Sequence, residues 1–303
     1  MSSSTATPSL TIGHTTVFFG DKTGKYPDGN QVIVRGADVS IAFDSPLVAN
    51  RIGDAFDSVD TIVQGHIHED HITGWHRVPG VPVHVHSGDL EAARSWQGLG
   101  RAYGLAPGRL PAMRAKIEQQ FFYQPRPDAI EYTDGAQWDL GGGVRIHAVH
   151  MPGHTAGHCV LIIEPDGVAF VGDIDLTGFG PYYGDASSNL GDFRRSIARL
   201  PDLPARVWVT SHHRGVYTER PKMLEALAAF GAKIDERRER LIAMLADGPR
   251  SLNELVNIRL IYPPDYEDVY IEDAERYTIS AHLAELLADG AVQHRPDDRY
   301  QLV

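Results

Sequence analysis

Four short apolar runs in this chain end in side chains that can bind a metal ion. The most crowded cluster follows residues 61–65 and places His66, His68, Asp70 and His71 within six positions. Neutral imidazoles and a carboxylate suit zinc, and also iron or manganese. A solvated polar loop is the alternative explanation, but packing alone does not account for four such side chains after one strand-like run. The cluster therefore predicts a metal site.

Three further runs deliver candidate ligands later in the chain. His154 follows the apolar run 144–149, Asp173 ends the run 168–172, and His212 and His213 follow the run that begins at Val207. A bound metal needs about three or four protein ligands, and a catalytic site keeps one position for water. Since α/β proteins build their sites where strands end, we expect these side chains to converge at one edge.

The order of these motifs carries a family resemblance. The chain has His-x-His-x-Asp-His at 66–71, Pro-Gly-His-Thr at 152–155, Gly-Asp at 172–173 and Ser-His at 211–212. An earlier apolar run ends in Asp44. From about residue 10 to about residue 218, the chain resembles the metallo-β-lactamase-fold hydrolase superfamily. The resemblance implies an α/β fold, the αβ/βα four-layer sandwich, in which two mixed sheets lie face to face with helices outside.

The resemblance also implies a ligand set for two divalent metal ions, zinc foremost, with iron or manganese as alternatives. Asp44 would support the site without binding metal. The first ion would be held by His66, His68 and His154, the second by Asp70, His71 and His212, and Asp173 would bridge the two.

The last ligand has two candidates. His212 and His213 are adjacent, and they would point to opposite sides if the strand continued. Because the family's last ligand usually stands in a Gly-His or Ser-His pair, we expect His212 to be the ligand.

Two bridged ions predict hydrolysis. A bound divalent ion lowers the pKa of water from about 15.7 towards about 7, so a hydroxide held between the ions is available at neutral pH. We expect Asp70 to orient this nucleophile as well as to bind metal. No nucleophile-elbow Gly-x-Ser-x-Gly is present. The favoured function is therefore hydrolysis of an ester-like bond, a thioester or a lactone, in a small molecule.

A glycine-rich stretch with two adjacent tyrosines, residues 175–185, follows the bridging carboxylate. A tyrosine hydroxyl beside the ions can stabilise an oxyanion, and Tyr183 is our candidate for this catalytic role. Packing of both tyrosines on a neighbouring loop is the alternative. We expect Asp175 to form local hydrogen bonds and not to bind metal. Supporting or core roles are expected for three further histidines, His147, His150 and His158.

Other functions of the same fold stay open as alternatives. The C-terminal region suggests a phosphodiesterase or an RNA nuclease. Some relatives are iron-dependent oxidoreductases, although the diiron branch usually has Glu where this chain has His68. A binding module without activity is disfavoured, because no ligand of the expected set is missing.

Bulk properties predict a cytoplasmic enzyme without a membrane span. The chain has 303 residues, no apolar stretch of 18 residues and an N-terminus unlike a signal peptide, and residues 1–9 are expected to form a disordered tail. Cys159 is the only cysteine, which excludes an intrachain disulfide and a thiolate metal site. A formal charge of −12 disfavours general nucleic-acid binding.

The chain is expected to divide into a hydrolase domain, residues 10–220, and a C-terminal domain, residues 221–303. Two helical runs, 221–230 and 232–245, begin the second part. A capping box at Ser251, a further helix over 273–288 and a closing hairpin then resemble a winged-helix domain.

DNA binding by this domain is disfavoured by its charge. Residues 247–303 contain twelve Asp and Glu against five Arg and no Lys, a net charge of −7. Phosphate would repel such a surface. We expect the domain to pack against the hydrolase domain or to shape a homodimer.

Residues 98–128 depart from a minimal hydrolase core and contain a predicted helix over 110–123. Insertions at this place in the family often cover the active site or mediate dimer contacts. An ordinary surface helix whose aromatic residues pack on the core is the other interpretation.

Overall fold

Two mixed β-sheets form the centre of the protein in a computed structural model that describes residues 7–303. The strands of the first sheet lie side by side in sequence order: β1 Ser9–Ile12, β2 Thr15–Phe18, β3 Gln31–Arg35, β4 Ser40–Phe43, β5 Thr61–Val63, β6 Val83–His86 and β7 Ile130–Tyr132. The strands of the second sheet are also neighbours in sequence order. They are β8 Gln137–Asp139, β9 Arg145–His150, β10 Cys159–Glu164, β11 Val168–Gly172, β12 Val207–Thr210 and β13 Val216–Tyr217.

Helices cover the outer faces of both sheets and continue into the C-terminal region. The eight α-helices of the described residues are α1 Asp54–Asp57, α2 Leu90–Arg94, α3 Trp96–Tyr103, α4 Leu110–Gln120, α5 Leu190–Arg199, α6 Arg220–Ala246, α7 Leu252–Ile258 and α8 Ile271–Ala288. Short 3₁₀ helices span Leu47–Arg51, Glu69–His71, Trp75–Arg77 and Leu200–Asp202, and a hairpin of β14 Val292–His294 and β15 Tyr300–Leu302 ends the described chain.

The alternation of side chains along the strands explains the four layers. In β3, Val32 and Val34 belong to the apolar cluster between the two sheets, whereas Ile33 belongs to the cluster beneath the helices of the first sheet. In β10, Leu161 faces the central cluster and Ile162 faces the cluster beneath α5 and α6. Because successive residues of a strand point to opposite faces, each strand serves two cores. The expected four-layer sandwich is confirmed.

Two details of the sequence analysis need correction. The expected disordered tail over residues 1–9 is wrong at its end, because Ser9 begins β1 and pairs with Phe18; residues 1–6 lie outside the described part. The two helical runs expected over 221–245 are one continuous helix, α6. Gly231 does not break this helix, because Phe230 and Ile234 on either side are buried against the second sheet.

The C-terminal region contains the expected order of helix, helix and hairpin. The side chain of Ser251 accepts a hydrogen bond from Glu254 N–H, and the side chain of Glu254 accepts one from Ser251 N–H. This pair confirms the capping box at the start of α7. Leu255, Ile279 and Leu283 form a separate apolar cluster with the end of α6. The first half of α6 packs on the second sheet, so this helix joins the two regions. The winged-helix assignment stays a prediction.

Among residues 7–303, no helix has both the length and the apolar composition that crossing a membrane requires.

Candidate metal centre

The candidate ligands lie where the strands end. The loop that carries residues 66–71 follows β5, His154 stands in the loop after β9, Asp173 directly follows β11, and His212 follows β12. These strand ends meet at one edge of the sandwich, which is why side chains that are far apart in sequence become neighbours. All seven predicted ligands converge there.

The first group consists of His66, His68 and His154. One nitrogen from each ring lies within 4.8 Å of the others, and all three side chains are buried. His66 Nε2 and His154 Nε2 are 3.2 Å apart. The predicted ligands of the first ion are therefore brought together by separate strand ends.

The second group consists of Asp70, His71 and His212. His212 Nε2 lies 3.1 Å from Asp70 Oδ2 and 3.3 Å from His71 Nε2. His213 has a left-handed backbone with φ of 54°, and its ring is outside the group. The preference for His212 over its neighbour agrees with this placement.

Asp173 stands between the groups and divides its oxygens between them. Its Oδ2 atom is 3.4 Å from His154 Nε2 in the first group. Its Oδ1 atom is 3.2 Å from His71 Nε2 and 3.6 Å from His212 Nε2 in the second. This is the position that a bridging carboxylate requires.

Partners outside the groups fix the protonation of the rings in the second group. His71 Nδ1 donates to Asp44 Oδ2 at 2.9 Å, and Gly65 N–H donates to the other oxygen of Asp44 at 2.7 Å. His212 Nδ1 lies 2.8 Å from the carbonyl oxygen of Gly24, which can only accept. Both rings therefore carry a proton on Nδ1 and turn Nε2 towards the group. The supporting role expected for Asp44 agrees with this contact.

The first group is held in the same way. His154 Nδ1 donates to the carbonyl oxygen of Tyr182 at 2.9 Å. His68 is reversed: its Nε2 atom donates to Asp185 Oδ2 at 2.8 Å, which leaves Nδ1 as the nitrogen that could bind a metal. A carboxylate or carbonyl behind a metal-binding histidine orients the ring and raises its basicity. Asp185 was not recognised from the sequence, because it lies 117 positions from His68 and no motif marks it.

Metal-binding atoms of both groups converge on one buried carboxylate. Asp173 Oδ1 is buried, has no hydrogen-bond partner within residues 7–303, and faces the Nε2 atoms of His71 and His212. A buried carboxylate needs a positive charge beside it, and metal ions compete with protons for the ring nitrogens that could supply this charge. The donor set of imidazole and carboxylate groups therefore fits divalent metal ions.

The pKa shifts differ between the rings. Burial lowers the pKa of His66 and His154 well below the ordinary value, so both rings are neutral bases. Burial alone would also lower the pKa of the other three rings, but neighbouring carboxylates raise it to about 9 for His68, to about 10 for His212 and well above the ordinary value for His71. Burial alone would raise the pKa of Asp173, but the nearby rings of His71 and His212 hold it well below its usual range. Metal binding would displace protons from these rings, because neutral imidazoles and an ionised carboxylate are the forms that bind metal.

Two further buried groups tie the ligand loops together, and neither was recognised from the sequence as a supporting residue. Asp89 accepts from Ile67 N–H at 3.1 Å, from the Thr155 hydroxyl at 2.7 Å and from Gly157 N–H at 2.8 Å. Glu69 accepts from the Tyr26 hydroxyl at 3.0 Å. Asp89 thus connects the 66–71 loop to the loop of His154.

His158 supports the bridging carboxylate from behind. Its Nδ1 atom donates to the carbonyl oxygen of Met151 at 3.0 Å, and its Nε2 atom accepts from Asp173 N–H at 3.2 Å. Gly172 allows this approach, because its φ is 56° and a Cβ atom there would lie 2.6 Å from His158 Nε2. His158 therefore has a supporting role, while the expected candidates His147 and His150 bond to Glu164 and to the carbonyl of Ala156 instead.

A cavity of about 450 Å³ opens above the candidate ligands. Its lining includes Asp70, Asp173 and His212 at the base, and Lys25 is the only Lys or Arg among the described lining residues. The remaining surface is unusually aromatic, with contributions from Tyr26, Tyr103, Phe179, Tyr182, Tyr262, Tyr266 and Tyr270.

Tyr183 contradicts the expectation of a catalytic role. Its side chain is 2% exposed, belongs to the core beneath α5 and α6, and contacts His282 Nε2 through its hydroxyl at 2.8 Å. Its neighbour Tyr182 lines the cavity instead and donates to Asp185 at 3.1 Å. Packing therefore turns Tyr183 away from the ligands.

Asp175 forms local hydrogen bonds as expected. It accepts from the backbone N–H and the hydroxyl of Thr177 at 3.1 and 3.0 Å. Burial, together with the charge of Asp173, raises the pKa of Asp175 to about 7.

The insertion over residues 98–128 contributes to the cavity. Tyr103 and Met113 line it, and Tyr277 of α8 donates to the carbonyl of Gly104 at 3.1 Å. Arg109 pairs with Asp273 at 2.9 Å. Phe121 and Tyr123 of the insertion are buried, and Tyr123 belongs to the core cluster of the first sheet. Each of the two interpretations of this insertion thus agrees with part of the structure: its aromatic residues pack on the core, and it also lines the cavity.

Comparison with known proteins decides the family. The sequence model of the metallo-beta-lactamase superfamily matches residues 38–213, more than half of the chain and all seven candidate ligands. This chain belongs to the metallo-beta-lactamase superfamily. A solved metallo-beta-lactamase family protein from Thermus thermophilus is 25% identical with a TM-score of 0.67, and the match covers 91% of this chain and 94% of that protein.

Two relatives of named function are similar over shorter lengths. An atrochrysone carboxyl ACP thioesterase of Pseudocercospora fijiensis is 25% identical over 54% of this chain and 46% of its own length. A hydroxyacylglutathione hydrolase of Methylococcus capsulatus is 27% identical over 45% of this chain and 51% of its own length. The chain thus spans about half the length of these two relatives.

Proposed function

We propose that this protein is a dinuclear metal-dependent hydrolase that cleaves an ester-like bond, a thioester or a lactone, in a small molecule. The observation that carries the proposal is the position of Asp173, whose two oxygens face two complete ligand groups at the base of a cavity. The names of the two relatives, a thioesterase and a hydrolase, support hydrolysis.

Seven side chains would hold the two ions. His66, His68 and His154 would bind the first, Asp70, His71 and His212 the second, and Asp173 both. When bound, such ions lower the pKa of water and polarise a carbonyl oxygen, which makes hydrolysis possible at neutral pH.

The protein's own residues then position the reactants. Asp70 lines the cavity, so the carboxylate oxygen that does not bind the ion would accept a hydrogen bond from an attacking water. The neighbouring His71 and His212 lower the pKa of Asp70 although burial opposes them, which keeps the carboxylate ionised. The aromatic walls would orient the substrate above this carboxylate.

The charge of the cavity favours a small, weakly charged substrate over RNA. With Lys25 as its only Lys or Arg, the described lining offers few partners for phosphate groups. The overall charge of −12 has the same effect at long range. A phosphodiesterase or nuclease therefore has less support than an esterase.

The test begins with the metal content. Purified protein that has been loaded with zinc should contain about two ions per chain by elemental analysis, in line with two ligand groups. The loaded protein is then assayed on acyl thioesters and lactones, and in parallel on single-stranded RNA and a phosphodiester.

Hydrolysis of thioesters or lactones that a chelator abolishes and zinc restores is the expected result. Asp173→Asn should abolish it, whereas Asp297→Asn, a matched change in the exposed β14–β15 turn, should not. Cleavage of RNA alone, or activity that depends on redox-active iron, would overturn the proposal.

A further inference from the structure

The cavity wall opposite the candidate ligands comes from the C-terminal region. Residues 259–270, here called the tyrosine segment, connect α7 to α8. Tyr262, Tyr266 and Tyr270 of this segment line the cavity, where Phe179 joins them from the loop after Asp173. A segment that carries no candidate ligand thus forms one side of the proposed active site.

The rings of this wall pack against one another and leave two of them partly exposed. Tyr262 and Tyr266 stack with centroids 5.6 Å apart and planes at 11°, and Phe179 lies 5.9 Å from Tyr262 with its plane tilted by 44°. Tyr266 and Phe179 are 41% and 45% exposed, although large aromatic side chains usually lose most of their surface in a folded protein. Exposed apolar rings that face a concave cavity are typical of a ligand-binding wall.

The segment is held rigidly at its first turn. Glu275 of α8 is fully buried and accepts from the backbone N–H groups of Leu260, Ile261 and Tyr262 at 2.7, 2.9 and 2.8 Å. Arg259 donates to the carbonyl oxygen of Pro263 at 2.9 Å. Because these bonds order the backbone before any ligand arrives, little conformational entropy is lost when a ligand binds.

The cations near the wall are already paired within the protein. Lys116 lies over the ring of Tyr270 and bonds to Asp268 at 2.5 Å. Arg237 lies over the ring of Phe179 and donates to the carbonyl oxygen of that residue at 2.6 Å. Neither group is therefore available to neutralise an anionic ligand at the wall, and Lys25, the one Lys or Arg of the described lining, belongs to a different segment. The wall itself thus favours an uncharged ligand.

We propose that the tyrosine segment selects substrates in which a planar, apolar and uncharged group, such as a phenyl ring on the acyl chain, lies beside the bond to be cleaved. This inference rests on the proposed hydrolase function. In it, Tyr262, Tyr266 and Phe179 bind the planar group, and Glu275 is a positioning residue.

The test uses thioesters of one thiol, N-acetylcysteamine, so that the leaving group is the same throughout, and the spontaneous rate of each compound is subtracted. The zinc-loaded full chain is assayed with propanoyl, 3-cyclohexylpropanoyl, 3-phenylpropanoyl and succinyl thioesters. Burial of one phenyl ring should raise kcat/KM for the phenylpropanoyl over the propanoyl thioester by about 10- to 100-fold. The cyclohexyl compound should fall below the phenyl compound, and the succinyl compound should be the poorest.

Variants at the rim of the cavity assign the preference to the segment. Tyr266→Ala should reduce the ratio of phenylpropanoyl to propanoyl kcat/KM by about 3- to 10-fold, the worth of one aromatic contact. Tyr266→Phe should retain the ratio. Tyr300→Ala is the matched control, since Tyr300 belongs to the β14–β15 hairpin of the same region and does not line the cavity.

The outcomes separate this inference from the function on which it rests. Equal rates for the propanoyl and phenylpropanoyl thioesters, or equal losses in Tyr266→Ala and Tyr300→Ala, would overturn the selection proposal and leave hydrolysis standing. If no thioester is cleaved, calorimetry with 3-phenylpropanoate and propanoate decides. If 3-phenylpropanoate binds more tightly than propanoate and Tyr266→Ala removes this difference, the selection proposal is supported. Equal binding of the two acids would overturn it.

Discussion

The base of the cavity, formed by the seven candidate ligands, and its wall, formed by the tyrosine segment, are held in different ways. At the base, individual rings have a partner of their own, such as Asp44 behind His71 and Asp185 behind His68. In the wall, one buried carboxylate, Glu275, fixes the backbone and leaves the rings exposed. Changes at the base should therefore remove activity, whereas changes in the wall should alter which substrate is preferred.

The largest effect is expected from Asp70→Ala. This change removes a ligand of the second group and the carboxylate that faces the cavity, while His66, His68 and His154 remain. A rate loss of at least about 10²-fold is expected from misplacement of the reactants. The rate loss is measured as turnover of a good substrate. Elemental analysis should show that the zinc content falls towards one ion per chain. A variant that retains near wild-type turnover would refute the role of Asp70.

Next in size is the loss of a partner behind a ligand. Asp185→Asn should weaken binding of the first ion and Asp44→Asn that of the second, each by about 10- to 100-fold. Competition with a chromophoric chelator measures both affinities. Asp128→Asn is the control, because its side chain is exposed and pairs only with Arg126 among the described residues. If Asp185→Asn weakened both ions equally, the separation into two groups would fail.

Removal of the carboxylate behind the wall should lower the stability of the protein and leave its zinc content unchanged. Glu275→Ala leaves the N–H groups of Leu260, Ile261 and Tyr262 without their acceptor, which costs about 1–3 kcal/mol for a buried group. Urea unfolding measures the stability, and hydrogen exchange at these amides reports the loosened segment. The preference for the phenylpropanoyl thioester should decline while zinc content is unchanged. Loss of zinc in this variant would show that the base and the wall are not independent.

The smallest effect concerns the contact between the two regions, where His282 of α8 meets Tyr183. Burial and the nearby Arg237 lower the pKa of His282 to about 3 from an ordinary value of 6.5. Between those values the unfolded chain binds a proton that the folded chain excludes. The contribution of His282 to stability is therefore complete above about pH 6.5 and is lost as the pH falls towards 3, by about 1.4 kcal/mol per pH unit.

A His282→Phe variant tests whether His282 makes the protein less stable as the pH falls. In urea titrations with a chelator present, the variant should be less stable than the wild type at pH 7.5, because the Tyr183 hydroxyl loses its partner. The difference should narrow by about 2 kcal/mol at pH 5.0. His294→Phe, in the hairpin, is the exposed control. A difference that stays constant with pH would contradict the buried neutral state of His282.

The two adjacent tyrosines show where sequence-based prediction fails. Tyr182 and Tyr183 stand in the same glycine-rich loop, and nothing local distinguishes the ring that faces the cavity from the one that is buried. His282, whose Nε2 atom forms a hydrogen bond with the Tyr183 hydroxyl, is 99 positions away on α8. The choice between the two tyrosines is made by the packing of the C-terminal region, so the sequence-based assignment to Tyr183 was wrong.

The sequence by itself determined the fold and the composition of the base. The motifs around His66, His154, Asp173 and His212 carry the family resemblance that implies the sandwich and the ligand set, and they can be recognised because an apolar strand that ends in a polar ligand is a local pattern. Only the tertiary structure decided which residues support the candidate ligands and which residues form the cavity wall. Asp185, Asp89, Glu275 and the tyrosine segment reach the site across long sequence separations, and their roles depend on burial and distance, which no local pattern encodes.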